Sequence, residues 1–223
     1  MPAFVSFSRS LTGAAPKHVL SRRAYFSVLG GAVLGMGMLF FPFEASAASS
    51  AEGFIQTVIA RGNAILGDSS LDAGQRDQRF REFLLSITDM KRTAMFTLGS
   101  YAQSTPEPQV ADFLATFTDF DIAIYQRGFG SYGQTIRVMG STERSPDDVI
   151  VNTEAADPKG KPEPFKIAFR VRRNDAGQDI ITDIQVEGVW LAISQRSGFV
   201  SYLDLHGGDV AKLSHELKSR TAS

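Results

Sequence analysis

Between Gly130 and Gly188 the apolar residues of this chain recur at every second position, whereas on either side they recur every three to four. A period of two belongs to strands buried on one face, and a period near 3.6 to helices with one apolar stripe. The order predicts helices, then an antiparallel sheet, then helices, which is an α+β domain. The clearest strand is Phe165–Arg173, where Phe165, Ile167, Phe169 and Val171 alternate with Lys166, Ala168, Arg170 and Arg172. Asn174-Asp175-Ala176-Gly177 predicts a hairpin turn, and Ile180, Thr182, Ile184 and Val186 the return strand. Gln134–Met139 and Val149–Glu154 read as shorter strands. Asp157-Pro158-Lys159-Gly160-Lys161-Pro162 reads as a turn-rich link.

Four helices are predicted ahead of the sheet. The first, 51–66, carries Phe54, Val58 and Ile65 near one face and stops at Gly67-Asp68-Ser69-Ser70. From Asp72 to Met90, Phe80, Phe83, Leu84, Ile87 and Met90 recur at helical spacing, and a third short helix covers 91–101. Ser104-Thr105-Pro106-Glu107 starts the fourth, with Thr105 able to cap and Pro106 in the first turn. Its stripe is Val110, Phe113, Leu114, Phe117, Phe120, Ile124 and Tyr125, which puts Asp119 and Asp121 on the solvated side. After the sheet, Val189–Leu205 returns to helix, with Glu187 placed to cap it and His206-Gly207-Gly208 ending it. Asp209 caps a last helix carrying Val210, Leu213 and Leu217.

The front of the chain has a different logic. Arg22 and Arg23 precede an uncharged, glycine-containing apolar stretch, Ser27–Phe43, followed by Glu44 and Ala45-Ser46-Ala47-Ala48. This is the tripartite layout of an export signal, with small residues, Ala45 and Ala47, at the positions signal peptidase requires. The paired arginines and the long polar extension before them give it the form of a twin-arginine signal. Cleavage is expected between Ala47 and Ala48, leaving residues 1–47 as signal and 48–223 as one domain. The alternative is an uncleaved anchor, since the apolar stretch is about the minimum length for a bilayer. The chain has no cysteine. Lipid attachment at the cleavage site, disulfides and thiolate-bound metal are therefore excluded. A protein without disulfides can reach its folded state in a reducing cytoplasm, which is the state the twin-arginine route carries.

Little in the remaining residues points to catalysis. Beyond the signal the only histidines are His206, at a helix end, and His215, on the polar face of the last helix. There is no metal spacing, phosphate loop, dinucleotide fingerprint or nucleophile elbow. Acids and bases are mixed along the sequence, with a net charge of −1, and no basic run suggests nucleic acid. The unusual count is 17 Phe against one Trp and five Tyr. An ordinary core can absorb that many, so the count alone does not establish a ligand cavity.

Three ordered segments carry a resemblance. They are Leu98-Gly99-Ser100-Tyr101 with Thr105-Pro106 and the Phe113/Phe117 helix; the Asp157–Pro162 turn with the Phe165–Arg173 strand; and Asp183-Ile184-Gln185-Val186-Glu187-Gly188-Val189. Together they resemble the toluene-tolerance, or MlaC, family over roughly residues 52–218. The hopanoid-associated HpnM proteins belong to the same family. The resemblance implies a curved antiparallel sheet packed against N- and C-terminal helices around an apolar cavity, in a cone-shaped, NTF2-like arrangement. It implies a monomeric periplasmic carrier of phospholipid or a related lipid, needing no cofactor. Its partners would be an inner-membrane ABC transporter complex and an outer-membrane lipoprotein–porin complex. One cavity wall would come from Phe165, Ile167, Phe169, Val171, Ile184 and Val186, with Val138 beside them. The other would come from Phe83, Ile87, Phe113, Phe117, Phe120, Ile124 and Tyr125. The same stripes can also close on one another as a dry core, and an enzyme on a similar pocketed α+β fold is a further alternative.

Overall fold

The computed structural model describes residues 47–132, 135–156, 160 and 164–221. The signal residues Arg22, Arg23 and Ala45 lie outside the described residues, as do Gln134 and most of the 157–162 link. Ala47 is the first residue described and packs against the core. Among the described residues there are seven helices and five strands.

Helix α1 (Ala47–Gly67) buries Ile55, Val58 and Ile59. Helix α2 (Ala73–Ile87) opens on a reciprocal cap: Asp72 Oδ1 accepts the Gln75 N–H, and Gln75 Oε1 accepts the Asp72 N–H. The Asp72–Met90 stretch is not one helix. It breaks at Thr88, which is extended and bridges Ile181 in parallel, and Asp89 caps a new helix, α3 (Met90–Leu98). A local cap thus overrides an apolar period that runs unbroken through Met90. A single turn, α4 (Tyr101–Ser104), leads to α5 (Glu107–Tyr132), the longest helix at 26 residues. Thr105 does not cap α5. Its hydroxyl donates backward to the Tyr101 carbonyl, and the Pro106 carbonyl accepts the first amides of α5 instead.

The sheet is a meander in which β1 (Arg137–Ser145), β2 (Asp148–Ala155), β3 (Phe165–Arg173), β4 (Asp179–Val186) and β5 (Val189–Trp190) pair antiparallel in chain order. Register shifts within β1/β2 and between Arg170 and Val171 on β3 curve it without closing it into a barrel. Strand β1 runs past the expected Met139 to Ser145. Its last residues are polar because this is an edge strand whose far end is exposed, and pairing with β2 rather than alternation holds it. The predicted turn at Asn174 is present: the Asn174 carboxamide oxygen accepts the Ala176 and Gln178 amides, and Gly177 takes a positive φ.

The Val189–Leu205 reading splits. Val189 and Trp190 form β5, and helix α6 (Leu191–Leu205) follows. Glu187 and Gly188 both have positive φ, 48° and 83°, between the paired residues Val186 and Val189. That is the two-residue hairpin turn whose twist matches the strands. Glu187 therefore does not cap α6. Its carboxylate accepts the Lys166 N–H at 2.6 Å, tying the turn to the start of β3. Helix α7 (Val210–Thr221) begins at Asp209 as expected, with the Asp209 carboxylate accepting the Lys212 amide, and packs along α5.

Most of the Phe-rich stripe of α5 meets α6. Phe113, Phe117 and Phe120 surround Phe199 with ring centroids 6.2–6.5 Å apart, edge-on or tilted. This forms a helical half of the core, and α1 closes the β1/β2 side of the sheet. Among the described residues no helix is long and apolar enough to cross a membrane.

Candidate functional site

The alternation of β3 puts Phe165, Ile167 and Phe169 on one face of the sheet. Register brings Val186 opposite Ile167 and Ile184 opposite Phe169, so five apolar side chains form a continuous floor. The last turns of α5 pass over this floor and present Tyr125, Gly128 and Phe129 at helical spacing, while Ile136 closes the side before β1. Between them lies a pocket with a free space of about 380 Å³, mouth included, and a wall that is almost entirely hydrocarbon. Only about 30 Å³ of it is wide enough for the centre of a water molecule.

Phe129 separates this pocket from the helical core. Its ring meets Phe80 edge-on at 5.6 Å, and its other side lies where a Cβ on Gly62 would sit, 2.7 Å from Cε1. Glycine at position 62 is what lets α1 and α5 approach this closely.

Of the residues expected to line a cavity, Tyr125, Phe165, Ile167, Phe169, Ile184 and Val186 meet in the pocket. Phe113, Phe117 and Phe120 pack around Phe199 instead. Phe83 is buried beside Phe80 with the Arg61 guanidinium over its ring, and Ile87 is buried in the core outside the pocket lining. Ile124 and Val138 pack against the core, and Val171 faces the α1 side. Gly128, Phe129 and Ile136 were not anticipated. Phe129 continues the Tyr125 stripe by one turn along α5, so the helical period is the signal that could have found it.

A buried polar cluster stands behind the pocket, and here the expectation for α5 is corrected. Asp121 is not on a solvated face: it is 1 % exposed. Gln195 Nε2 donates to its Oδ1 at 2.6 Å, and the Tyr125 hydroxyl donates to its Oδ2 at 3.3 Å. The apolar stripe of α5 is broad enough to wrap past Asp121, and a buried glutamine on α6 meets the carboxyl there. Burial pushes the Asp121 carboxyl up to about 7 against the opposing effect of these two hydrogen bonds, with nearby Asp183 adding to the rise. Burial also raises Asp183, although it accepts the Ile184 and Ala192 amides and so holds the start of α6 to β4. Asp119 is the solvated one and pairs with Arg81 at 2.5 Å.

His206 ends α6 with its ring stacked on Tyr202, and His215 is exposed on α7. Among the described residues no cluster of three His, Cys, Asp or Glu could hold a metal ion. What the pocket wall offers chemically is shelter for hydrocarbon.

Comparison with known proteins agrees with this arrangement. A search of curated proteins returns no match. Among solved structures, a phospholipid-binding protein from Ralstonia solanacearum, determined in complex with a phospholipid, superposes with a TM-score of 0.62. It is 22% identical, and the alignment covers 80% of this chain and 98% of that one. At that identity the likeness concerns the fold. The family profile described as "MlaC protein" matches residues 55–219, from α1 to the end of α7 and thus well over half of the sequence. The chain belongs to the MlaC family.

Proposed function

We propose that this protein is a periplasmic lipid carrier that shelters the acyl part of a phospholipid between α5 and the sheet. The observation that carries the reading is the hydrocarbon wall of the pocket, formed by one face of β3 and β4 and the last turns of α5. Removing apolar surface from water contributes about 0.8 kcal/mol per methylene, so an acyl chain is drawn into such a slot without any catalytic group. Family membership and the phospholipid held by the Ralstonia protein support the same cargo class and favour binding over catalysis. The roughly 30 Å³ that a water molecule's centre can reach is far below the roughly 300–1,000 Å³ typical of pockets for small molecules. Loading a two-chain lipid therefore requires α5 and the sheet to part.

In this reading the protein leaves the cytoplasm by the twin-arginine route and is cut after Ala47. It then ferries lipid between an outer-membrane lipoprotein–porin complex and an inner-membrane ABC transporter. The test is mass spectrometry of organic extracts from gently purified mature protein. Near-stoichiometric phospholipid is expected. A hopanoid in its place would assign the protein to the HpnM branch, and protein free of any lipid would remove the carrier reading.

A further inference from the structure

The alternation that gives β3 its apolar face also gives it a second one. Arg170 lies between Phe169 and Val171 in sequence and Arg172 follows Val171, so both point away from the apolar face. They line a separate groove bounded by α3 and the start of α6, with about 710 Å³ of free space, mouth included. No residue lines both the groove and the apolar pocket. A lipid tail sheltered under α5 therefore does not share this site.

The groove is lined by three arginines, Arg92, Arg170 and Arg172, and by two carboxylates, Asp89 and Asp183. Asp148 is occupied by Arg170, which donates to both its oxygens at 2.8 and 2.6 Å. Asp89 is committed to capping α3, and Asp183 to the amides that begin α6. Arg172 approaches Asp148 only to 4.0 Å, and the Arg92 guanidinium has no ion pair or hydrogen bond among the described residues. The Arg92 guanidinium is thus open to a new partner and Arg172 is only loosely held, beside two apolar side chains that are unusually bare, Phe96 at 43% and Ile193 at 54% exposure. Phe96 is held in that position: Arg196 stacks on its ring at 4.9 Å and donates to its carbonyl at 2.6 Å.

We propose that this groove docks a protein partner through an acidic segment that also carries an apolar side chain. Guanidinium groups recognise carboxylates by paired, charge-assisted hydrogen bonds. The exposed Phe96 and Ile193 supply the desolvated contact that gives such interfaces most of their energy. Depth separates this occupant from a membrane surface. Arg170 and Arg172 stand on the sheet in a groove walled by α3 and the start of α6, a shape that a protruding side chain fits better than a flat headgroup layer. The proposal does not rest on the cargo reading.

The test places a photo-crosslinking p-benzoylphenylalanine at Ile193 in the full chain in its native host, with Leu205, 81% exposed at the far end of α6, as control position. Mass spectrometry then maps what is captured. The expected product is a segment of an envelope protein containing adjacent acidic and apolar residues. Capture should fall about tenfold or more in Arg92→Glu and return when an acidic residue of the mapped segment is changed to arginine. Arg92 is exposed in the first turn of α3, where a negative side chain is favoured, so this variant keeps its fold. Arg172→Gln is the second variant. Capture of phospholipid alone, capture no greater than at Leu205, or capture indifferent to both variants overturns the proposal. Bound lipid is measured on the same samples: its absence from the protein without groove substitutions would count against the carrier reading, whereas loss of crosslinking with lipid retained concerns the groove alone.

Discussion

Asp121 is sealed between α5 and α6 with Gln195 and Tyr125 as its donors, and burial raises its pKa to about 7. In the unfolded chain the group returns to a value near 4. Between about pH 4 and pH 7 the folded state binds the extra proton, so the stability this group contributes is fully present below about pH 4 and lost as pH rises through about 7. Carboxylates held low by arginine, such as Asp148 beside Arg170, titrate below that window and do not mask it. The melting temperature is therefore expected to fall by several degrees between pH 5 and pH 8, and Asp121→Asn should reduce that slope to what the likewise raised Asp183 contributes. Parallel pH profiles for the two proteins would contradict the assignment. Ile167, at the centre of the pocket floor, serves a different test. Ile167→Trp should fill the space at a cost of roughly 1–3 kcal/mol. Extracts of the folded variant should then contain little lipid, and a full load would remove the floor from the cargo site.

The contact of α1 with α5 depends on one missing side chain. Gly62→Ala places a methyl 2.7 Å from Phe129 Cε1, and the ring must move toward the pocket. Lower thermal stability and reduced lipid capture are expected together in that variant. Asp72→Ala removes the reciprocal cap of α2, far from the pocket lining, and should cost about 1 kcal/mol in denaturant unfolding while leaving bound lipid unchanged. The elements themselves were largely legible in the sequence. Period alone identified the Phe165–Arg173 strand, because one face is wholly apolar, and the long α5 stripe; it also found the Ile180–Val186 strand, although the register shift sets Ile181 opposite Val171 and turns Thr182 to the other face. It failed where local hydrogen bonds decide. Asp89 restarts a helix inside an unbroken apolar pattern, and Glu187 enters a positive-φ turn that its residue type does not favour. The pocket was only half legible. A stripe says which side chains are buried, but whether Phe113 meets a sheet or another phenylalanine depends on where α6 returns, and nothing local to α5 encodes that.

At the scale of the molecule, the carrier reading makes cleavage a requirement of function rather than a detail of address. A protein tethered through Ser27–Phe43 serves one membrane. N-terminal sequencing of the exported form should read from near Ala48, and a start at Met1 would end the shuttle reading. The sheet bears on the same journey. Each strand pairs only with the strand before and after it in the chain, so β1 to β5 can be added one hairpin at a time as the polypeptide lengthens. Such pairings close short loops and form quickly, with no distant edge to wait for and no thiol to oxidise. For a chain proposed to cross its membrane already folded, this means that the sheet can be complete before export begins. The time an unpaired apolar strand spends exposed is then set by the pace of synthesis, not by the search for a remote partner.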